Sequence, residues 1–250
     1  PPEGSNRAPA PAAPAPRRLA GPPTGAAAAR GITPRAVLIG LLLIPANAWW
    51  LIQIEYVRYS DNVTTSALFF NAIGLLLILI ALNAALQRVL PRFVLAPGEL
   101  VVIYVMVVLA TNLAGHDQLQ ILFSTITYVV RRSPPGSPWD QRLMPHVPRY
   151  LVVTDRTAVN DLYYGQSTLY RWDHLRAWAG PVAWWTLFVL LVVWVMLCLS
   201  ALLRRQWEAE RLSYPIAEVP FQMINPRERL FERPTLWIGF AIGAGVEVLN

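Results

Sequence analysis

The chain has 250 residues, of which 55% are hydrophobic and only 14% charged, with a mean hydropathy of +0.39. That is more apolar and less charged than an ordinary soluble domain and points to a helical membrane protein. The net charge of +6 comes from 21 Arg and no Lys, and these Arg flank apolar runs instead of clustering on a polar face, which argues against nucleic-acid binding. The single Cys198 lies inside an apolar run, so neither a disulfide framework nor a metal cluster is expected.

Residues 1–33 are mostly Pro, Ala, Gly and Arg, a composition that cannot bury a core, and are read as a disordered cytoplasmic tail. The first apolar run, Ala36 to Ile54, lies between Arg35 and Glu55 and contains Pro45. Ala46-Asn47-Ala48 has the look of a signal-peptidase site, but the apolar character continues through Trp49, Trp50, Leu51 and Ile52, so an uncleaved span is expected. A second uncharged run extends from Asn62 to Gln87 and is closed by Arg88, Pro91 and Arg92. Asn71 and Asn83 within it are expected to hydrogen-bond between helices.

The third region is irregular. Leu100 to His116 carries no charge, Asp117 follows, and Gln118 to Val130 is again uncharged. A single helix over this region would be about 46 Å long, too long for a simple span and too short for two spans and a turn. Residues 34–130 are therefore read as three membrane helices, the third broken at Gly115-His116-Asp117. Residues 131–176, rich in Pro and aromatic residues, are expected to form an extracytoplasmic cap, with Leu151-Val152-Val153-Thr154 as a short strand. Ala177 to Leu203 holds 27 residues without a charge, about 40 Å as a helix, and is the clearest span. A cytoplasmic, Pro-containing segment, 204–233, leads to a fifth apolar helix, 234–250. That helix is too short to cross, so the chain is expected to be the N-terminal part of a longer protein. With the N-terminus inside, 13 of the 21 Arg fall on the cytoplasmic side, while the 131–176 loop places seven outside.

Ionisable residues within a membrane are costly and mark function by default. His116 and Asp117 are the leading candidates, the first able to exchange a proton near neutral pH and the second to serve as its charge partner. Asn112, His116, Gln120 and Ser124 recur every fourth residue and would form one polar stripe on a continuous helix. Asn112, His116, Asp117 and Gln120 are thus the predicted transport-path residues. Glu55 and Glu99 are expected at the interfaces, and Gly239 and Gly243 form a G-x-x-x-G pair suited to close helix packing. No catalytic residues are assigned. Gly165-Gln166-Ser167 lacks the second glycine of a nucleophile elbow, H-E-x-x-H and C-x-x-C do not occur, and Asp173-His174 is expected to be a surface pair at a helix start.

Arg204 to Ile224 reads RRQWEAERLSYPIAEVPFQMI. Its Leu212, Tyr214, Pro215, Ala217 and Glu218 resemble an element of the oligopeptide transporter superfamily, without the Ser-Gly-Thr run usual after that proline. The chain more closely resembles an uncharacterised bacterial family of multi-pass membrane proteins related to those transporters. That resemblance runs over about residues 36–250, through Gly115-His116-Asp117-Gln118-Leu119-Gln120, Pro148-Arg149-Tyr150-Leu151, and Arg205-Gln206-Trp207 with Glu210-Arg211-Leu212. It implies an inner-membrane protein of a dozen or more helices and, by analogy, proton-coupled uptake of peptides or metal chelates. The expected fold is all-α, a polytopic transmembrane bundle of four spans and the start of a fifth with a long extramembrane loop. The expected function is a secondary transporter, not an enzyme, with no cofactor and no bound metal. The alternative is a structural or assembly subunit of a membrane complex. Expected partners are the lipid bilayer, a small-molecule substrate and, in a homo-oligomer, other copies of the chain, with no nucleic acid.

Overall fold

The computed structural model describes residues 32–58, 63–66, 68–165, 167–210, 214–225, 228 and 230–249, all of them helix, turn or irregular, with no strand among the described residues. The tail, residues 1–31, lies outside them. Four helical stretches, Pro34–Val57, Phe70–Val89, Pro97–Arg132 and Trp172–Ala209, are long and apolar enough to cross a membrane.

Helix α1 (Pro34–Ile52) starts where Thr33 accepts the Ala36 N–H at 3.2 Å and Pro34 fills the first turn, which needs no donor. It continues past Pro45 and ends in a π-helical turn, Gln53–Val57. Helix α2 (Phe70–Val89) returns, and a short link leads into α3 (Pro97–Ala114). Asn83 fastens this link: its amide donates to Leu95 O at 3.0 Å and its Oδ1 accepts the Leu95 N–H at 2.6 Å.

Three cross-helix hydrogen bonds define how these helices run. Arg35 meets Glu99, Asn47 meets Thr111 and Glu55 meets Gln120, at sequence separations of 64, 64 and 65. A constant separation means that α1 and α3 are parallel and in register, with α2 antiparallel to both. Glu55 follows Arg35 by twenty positions, so these levels are about 30 Å apart, the thickness of a hydrocarbon core. Ala36, Ala72, Leu76, Leu100, Ile103 and Val107 are buried between the helices. Close approach of α1 and α3 depends on Gly40, where an added Cβ would lie 2.6 Å from Met106 Sδ. Small residues at such crossings supply the van der Waals packing that replaces the hydrophobic effect in lipid.

Beyond the Glu55 level, α4 (Ile121–Arg132), α5 (Pro138–Arg142), α6 (Arg156–Tyr164) and the start of α7 (Trp172–Ala209) form a cap. Its core is Ile126, Val130, Val153, Ala158, Val159 and Trp178. Arg156 ties it from above, donating to Ser133 O and pairing with Asp140 at 2.6 Å. The stretch expected as a strand is instead a turn after Pro148, from which the Val153 N–H reaches Ile126 O at 3.1 Å. Its β-branched residues find no neighbouring strand: Val153 packs into the helical core of the cap, Val152 is half-buried and Thr154 is exposed.

Helix α7 has 38 residues, about 57 Å, and extends beyond the expected 177–203 span at both ends. Its buried residues, His174, Trp178 and Pro181, all belong to the cap, and the apolar length from Phe188 to Leu203 is exposed or half-exposed. Helix α8 (Pro215–Ile224) lies at the Arg35 end and inserts Ile224 into the bundle core. Helix α9 (Pro234–Leu249) carries Gly239 and Gly243, which face open space, so their spacing has no helix packed on it among the described residues.

Candidate functional site at the helix break

Helix α3 stops at Ala114 because Gly115 is extended, with φ −70° and ψ 175°. The chain resumes as a π-helical turn, His116–Gln120, and then α4. Any residue tolerates these angles, so the glycine is needed for space. A Cβ at Gly115 would lie 2.6 Å from both Cβ and Oγ1 of Thr64. Gly115→Val is expected to push these segments apart and to cost about 1–3 kcal/mol, read as a lowered midpoint in thermal unfolding. Thr64→Ala in the same chain should restore part of the loss.

Across the break sits Glu55, only 4% exposed. The π turn at the end of α1 adds a residue to the helical turn and aims this side chain into the bundle. Its Oε1 accepts the Thr64 backbone N–H at 2.9 Å and the Thr64 hydroxyl at 2.7 Å. Its Oε2 accepts the Gln120 amide at 3.0 Å. The same amide reaches Ala114 O at 3.3 Å, one of the carbonyls left open by the end of α3. Thr64 Oγ1 in turn accepts the His116 backbone N–H at 3.0 Å. Both carboxyl oxygens thus act as acceptors, the arrangement of an ionised group, yet no Arg or His pairs with it among the described residues.

About 12 Å deeper, by eight residues of helix rise, three helices share a polar knot. Asn71 donates to Asn47 Oδ1 at 2.8 Å and to Thr111 Oγ1 at 2.9 Å, and Asn47 donates to Thr111 Oγ1 at 2.9 Å. All three side chains are buried, and Asn71 Oδ1 meets no donor among the described residues. At the opposite end, Glu99 holds Arg35 at 2.7 Å, the Ala96 N–H at 2.8 Å and the Thr33 hydroxyl.

The predicted path residues separate around the break. Asn112 is exposed on α3, His116 is half-buried and uses its backbone N–H, and Gln120 turns inward to Glu55. Ser124 is exposed and donates back to Gln120 O. The Asp117 side chain lies outside the described residues. A four-residue stripe requires a continuous helix, and the extended Gly115 resets rotation about the axis, so one stripe does not form. Glu55 and Glu99, expected at the interfaces, stand at opposite ends of the three-helix bundle, and both are buried and bonded within the protein. His174 departs from a surface pair with Asp173: it is buried, with Nδ1 3.0 Å from Thr168 O and Nε2 3.1 Å from Asp161 Oδ2, the latter without hydrogen-bond alignment.

Asn47, Glu55 and Thr111 are the inward groups that local reading missed. A signal was present. Arg35, Asn47 and Glu55 repeat nearly the spacing of Glu99, Thr111 and Gln120, which is the mark of two parallel helices with matched polar levels.

The motif residues of 205–218 gather at the other end. Trp207 stacks edge-on with Tyr214 at 6.2 Å between centroids, Glu210 accepts from Gln206 at 2.9 Å and Glu218 from Gln222 at 2.8 Å. Arg205 is exposed, Pro215 opens α8 and Leu212 lies outside the described residues. Helix α8 flanks a cavity of about 530 Å³ lined by Asn83, Gln87, Leu95, Leu100, Gln222 and Phe231, among others.

With the helix break and the 205–218 segment in place, comparison with known families is decisive. The profile of a family of unknown function, DUF6785, matches residues 26–250. The chain belongs to DUF6785. No curated protein and no solved structure matches this DUF6785 member. Both the helix break and the 205–218 segment fall within the matched residues of DUF6785.

Proposed function

We propose that the chain is part of a secondary transporter, coupling ion movement to uptake of a small polar solute across the bacterial inner membrane, with the N-terminal tail cytoplasmic. The observation that carries this reading is Glu55, a buried carboxylate facing a broken membrane helix. Burying a charge in a membrane-spanning segment is costly and such groups mark ion pathways. Broken helices leave backbone ends free to meet ions, and alternating access rocks one bundle against another around them. Glu55 lies at the mouth of the bundle on the cap side, and Asn71 Oδ1, which meets no donor among the described residues, lies further in. The likeness of Tyr214, Pro215, Ala217 and Glu218 to the oligopeptide transporters supports peptides or metal chelates as the solute, and His116 and Asp117 at the break as proton carriers.

The test is uptake by the full-length protein in proteoliposomes under an imposed proton or sodium gradient, with a mixed pool of short peptides and metal chelates. Wild type should accumulate solute, and Glu55→Gln should lose about tenfold or more. Uptake equal in wild type and Glu55→Gln removes the break from the mechanism.

A second reading, a non-enzymatic assembly subunit, is favoured by the aromatic face of the cap, where Tyr164, Tyr170 and Trp172 are exposed. It expects Glu55 and His116 to tolerate substitution while changes at these aromatics release a partner in pull-down from membranes.

A further inference from the structure

We propose that the helix break is a binding site for one monovalent alkali cation, sodium above potassium, with Glu55, Gln120, Thr64 and the open carbonyls at the end of α3 as its oxygen ligands. This rests on the transporter reading and adds to it an ion other than the protons assigned to His116 and Asp117.

The first argument is charge. Helices α1 and α3 are parallel, so both present their C-terminal ends at the same level, each equivalent to about half a negative charge. Glu55 adds a full negative charge between them, and its hydrogen-bond partners, the Thr64 N–H and hydroxyl and the Gln120 amide, are all neutral. The N-terminal end of the turn His116–Gln120 meets the same break and offsets the α3 end, so the charge to be balanced there is chiefly that of Glu55, and one positive ion balances it. Among the described side chains Glu55 is the one carboxylate at the break, and a single negative charge favours a monovalent ion. The described residues contain no group of three His, Cys, Asp or Glu of the kind that holds a transition metal.

The second argument is the orientation of Gln120. Its Nε2 bridges Glu55 Oε2 at 3.0 Å and Ala114 O at 3.3 Å, so a partially positive NH₂ group stands between two oxygens where a cation would sit. Its own Oε1 is buried and meets no donor among the described residues. Half a turn of the amide exchanges the two atoms. It then brings Gln120 Oε1 to Glu55 Oε2 and Ala114 O, with Thr64 Oγ1 already on Glu55. The orphaned oxygen gains a ligand to hold, and the amide changes from a stand-in for the ion into part of its shell. Such oxygen sets suit hard cations, and half-helix C-termini with exposed carbonyls serve this purpose in membrane transporters generally. Thr64 packs so tightly on Gly115 that a Cβ would not fit. The confined space favours the smaller ion.

The experiment is equilibrium binding of radioactive sodium to the purified full-length protein in detergent, prepared in choline chloride, with scintillation-proximity detection. Wild type should bind sodium saturably at one site per chain, with potassium competing at least about tenfold more weakly. Glu55→Gln and Gln120→Leu should each weaken binding about tenfold or more. If Glu55→Gln does not yield folded protein, Gln120→Leu and Thr64→Val, which retain volume and remove oxygens, decide the matter. Absence of saturable binding in wild type, unchanged binding in folded Gln120→Leu and Thr64→Val, or equal competition by potassium overturns the proposal. The transporter reading fails separately: sodium binding without gradient-driven uptake sustains the site and removes the transporter. Proton-driven uptake in sodium-free buffer by a protein that binds no sodium does the reverse.

Discussion

Trp178→Ala is expected to unfold the cap while leaving the three-helix bundle in place. Trp178 is 8% exposed and lies where α7 enters the cap, against Ile126, Val130, Val153, Ala158 and Val159, with its ring edge-on to Phe123 at 5.8 Å. Truncating a buried tryptophan costs about 3–5 kcal/mol from lost transfer energy and the cavity left behind. The cap is small, and around this core it is tied by Arg156 with Asp140, by the Trp185 indole donating to Leu151 O at 2.9 Å, by Thr127 with the Tyr163 hydroxyl at 2.9 Å and by His174 at Thr168 O. A loss of this size is comparable with the whole stability of a small domain. Limited proteolysis should therefore open new cuts between residues 131 and 176, while helix content by circular dichroism falls only by the share of α4 to α6. Trp178→Phe, which keeps a ring in the cavity, should resist cleavage. Equal protection of the alanine variant and wild type would show that α7 does not hold the cap.

At the other end, Arg35 and Glu99 are expected to respond unequally to removal. Side-chain exposure is 37% for Arg35 and 7% for Glu99, with 2.7 Å between them. Arg35→Ala leaves a buried carboxylate with only the Thr33 hydroxyl and the Ala96 N–H, and an uncompensated buried charge is strongly unfavourable, about 2–4 kcal/mol here. Glu99→Ala leaves a guanidinium on a long stem that can extend to lipid headgroups, so the cost should be nearer 1–2 kcal/mol. The double variant should fall below the sum of the singles, since each removes the other's partner. Unfolding midpoints in a fixed detergent give all three values. Equal losses in the two singles would mean that Glu99 is not charged or not buried in the membrane.

Legibility in the sequence differed between the membrane class and the site. An uncharged run such as 177–203 specifies a long apolar helix by itself, since every backbone group in lipid must be satisfied within its own segment. The break was also local: a glycine beside His116 and Asp117 in an apolar run coincides with the point at which α3 ends. Gly115 is there because of Thr64, 51 positions earlier, and no local pattern contains that reason. The stripe of Asn112, His116, Gln120 and Ser124 failed on the same point, because one extended residue changes the direction of every side chain after it. His174 was misread for want of Asp161 and Thr168, which another helix and its following loop supply.

The sequence by itself determined that this is an all-helical chain with several helices able to cross a membrane, where those helices lie, and which residues within them are polar. Apolar length and charge placement act segment by segment, so they can be read in order along the chain. Only the tertiary structure decided which polar residues share a site. That depends on α1 and α3 packing parallel and in register, on α2 running antiparallel beside them, and on the rotation introduced at Gly115. Pairing at a separation of 64 residues is a property of how helices pack, and it is this packing that turned Glu55 from a helix-end charge into the buried centre of the break.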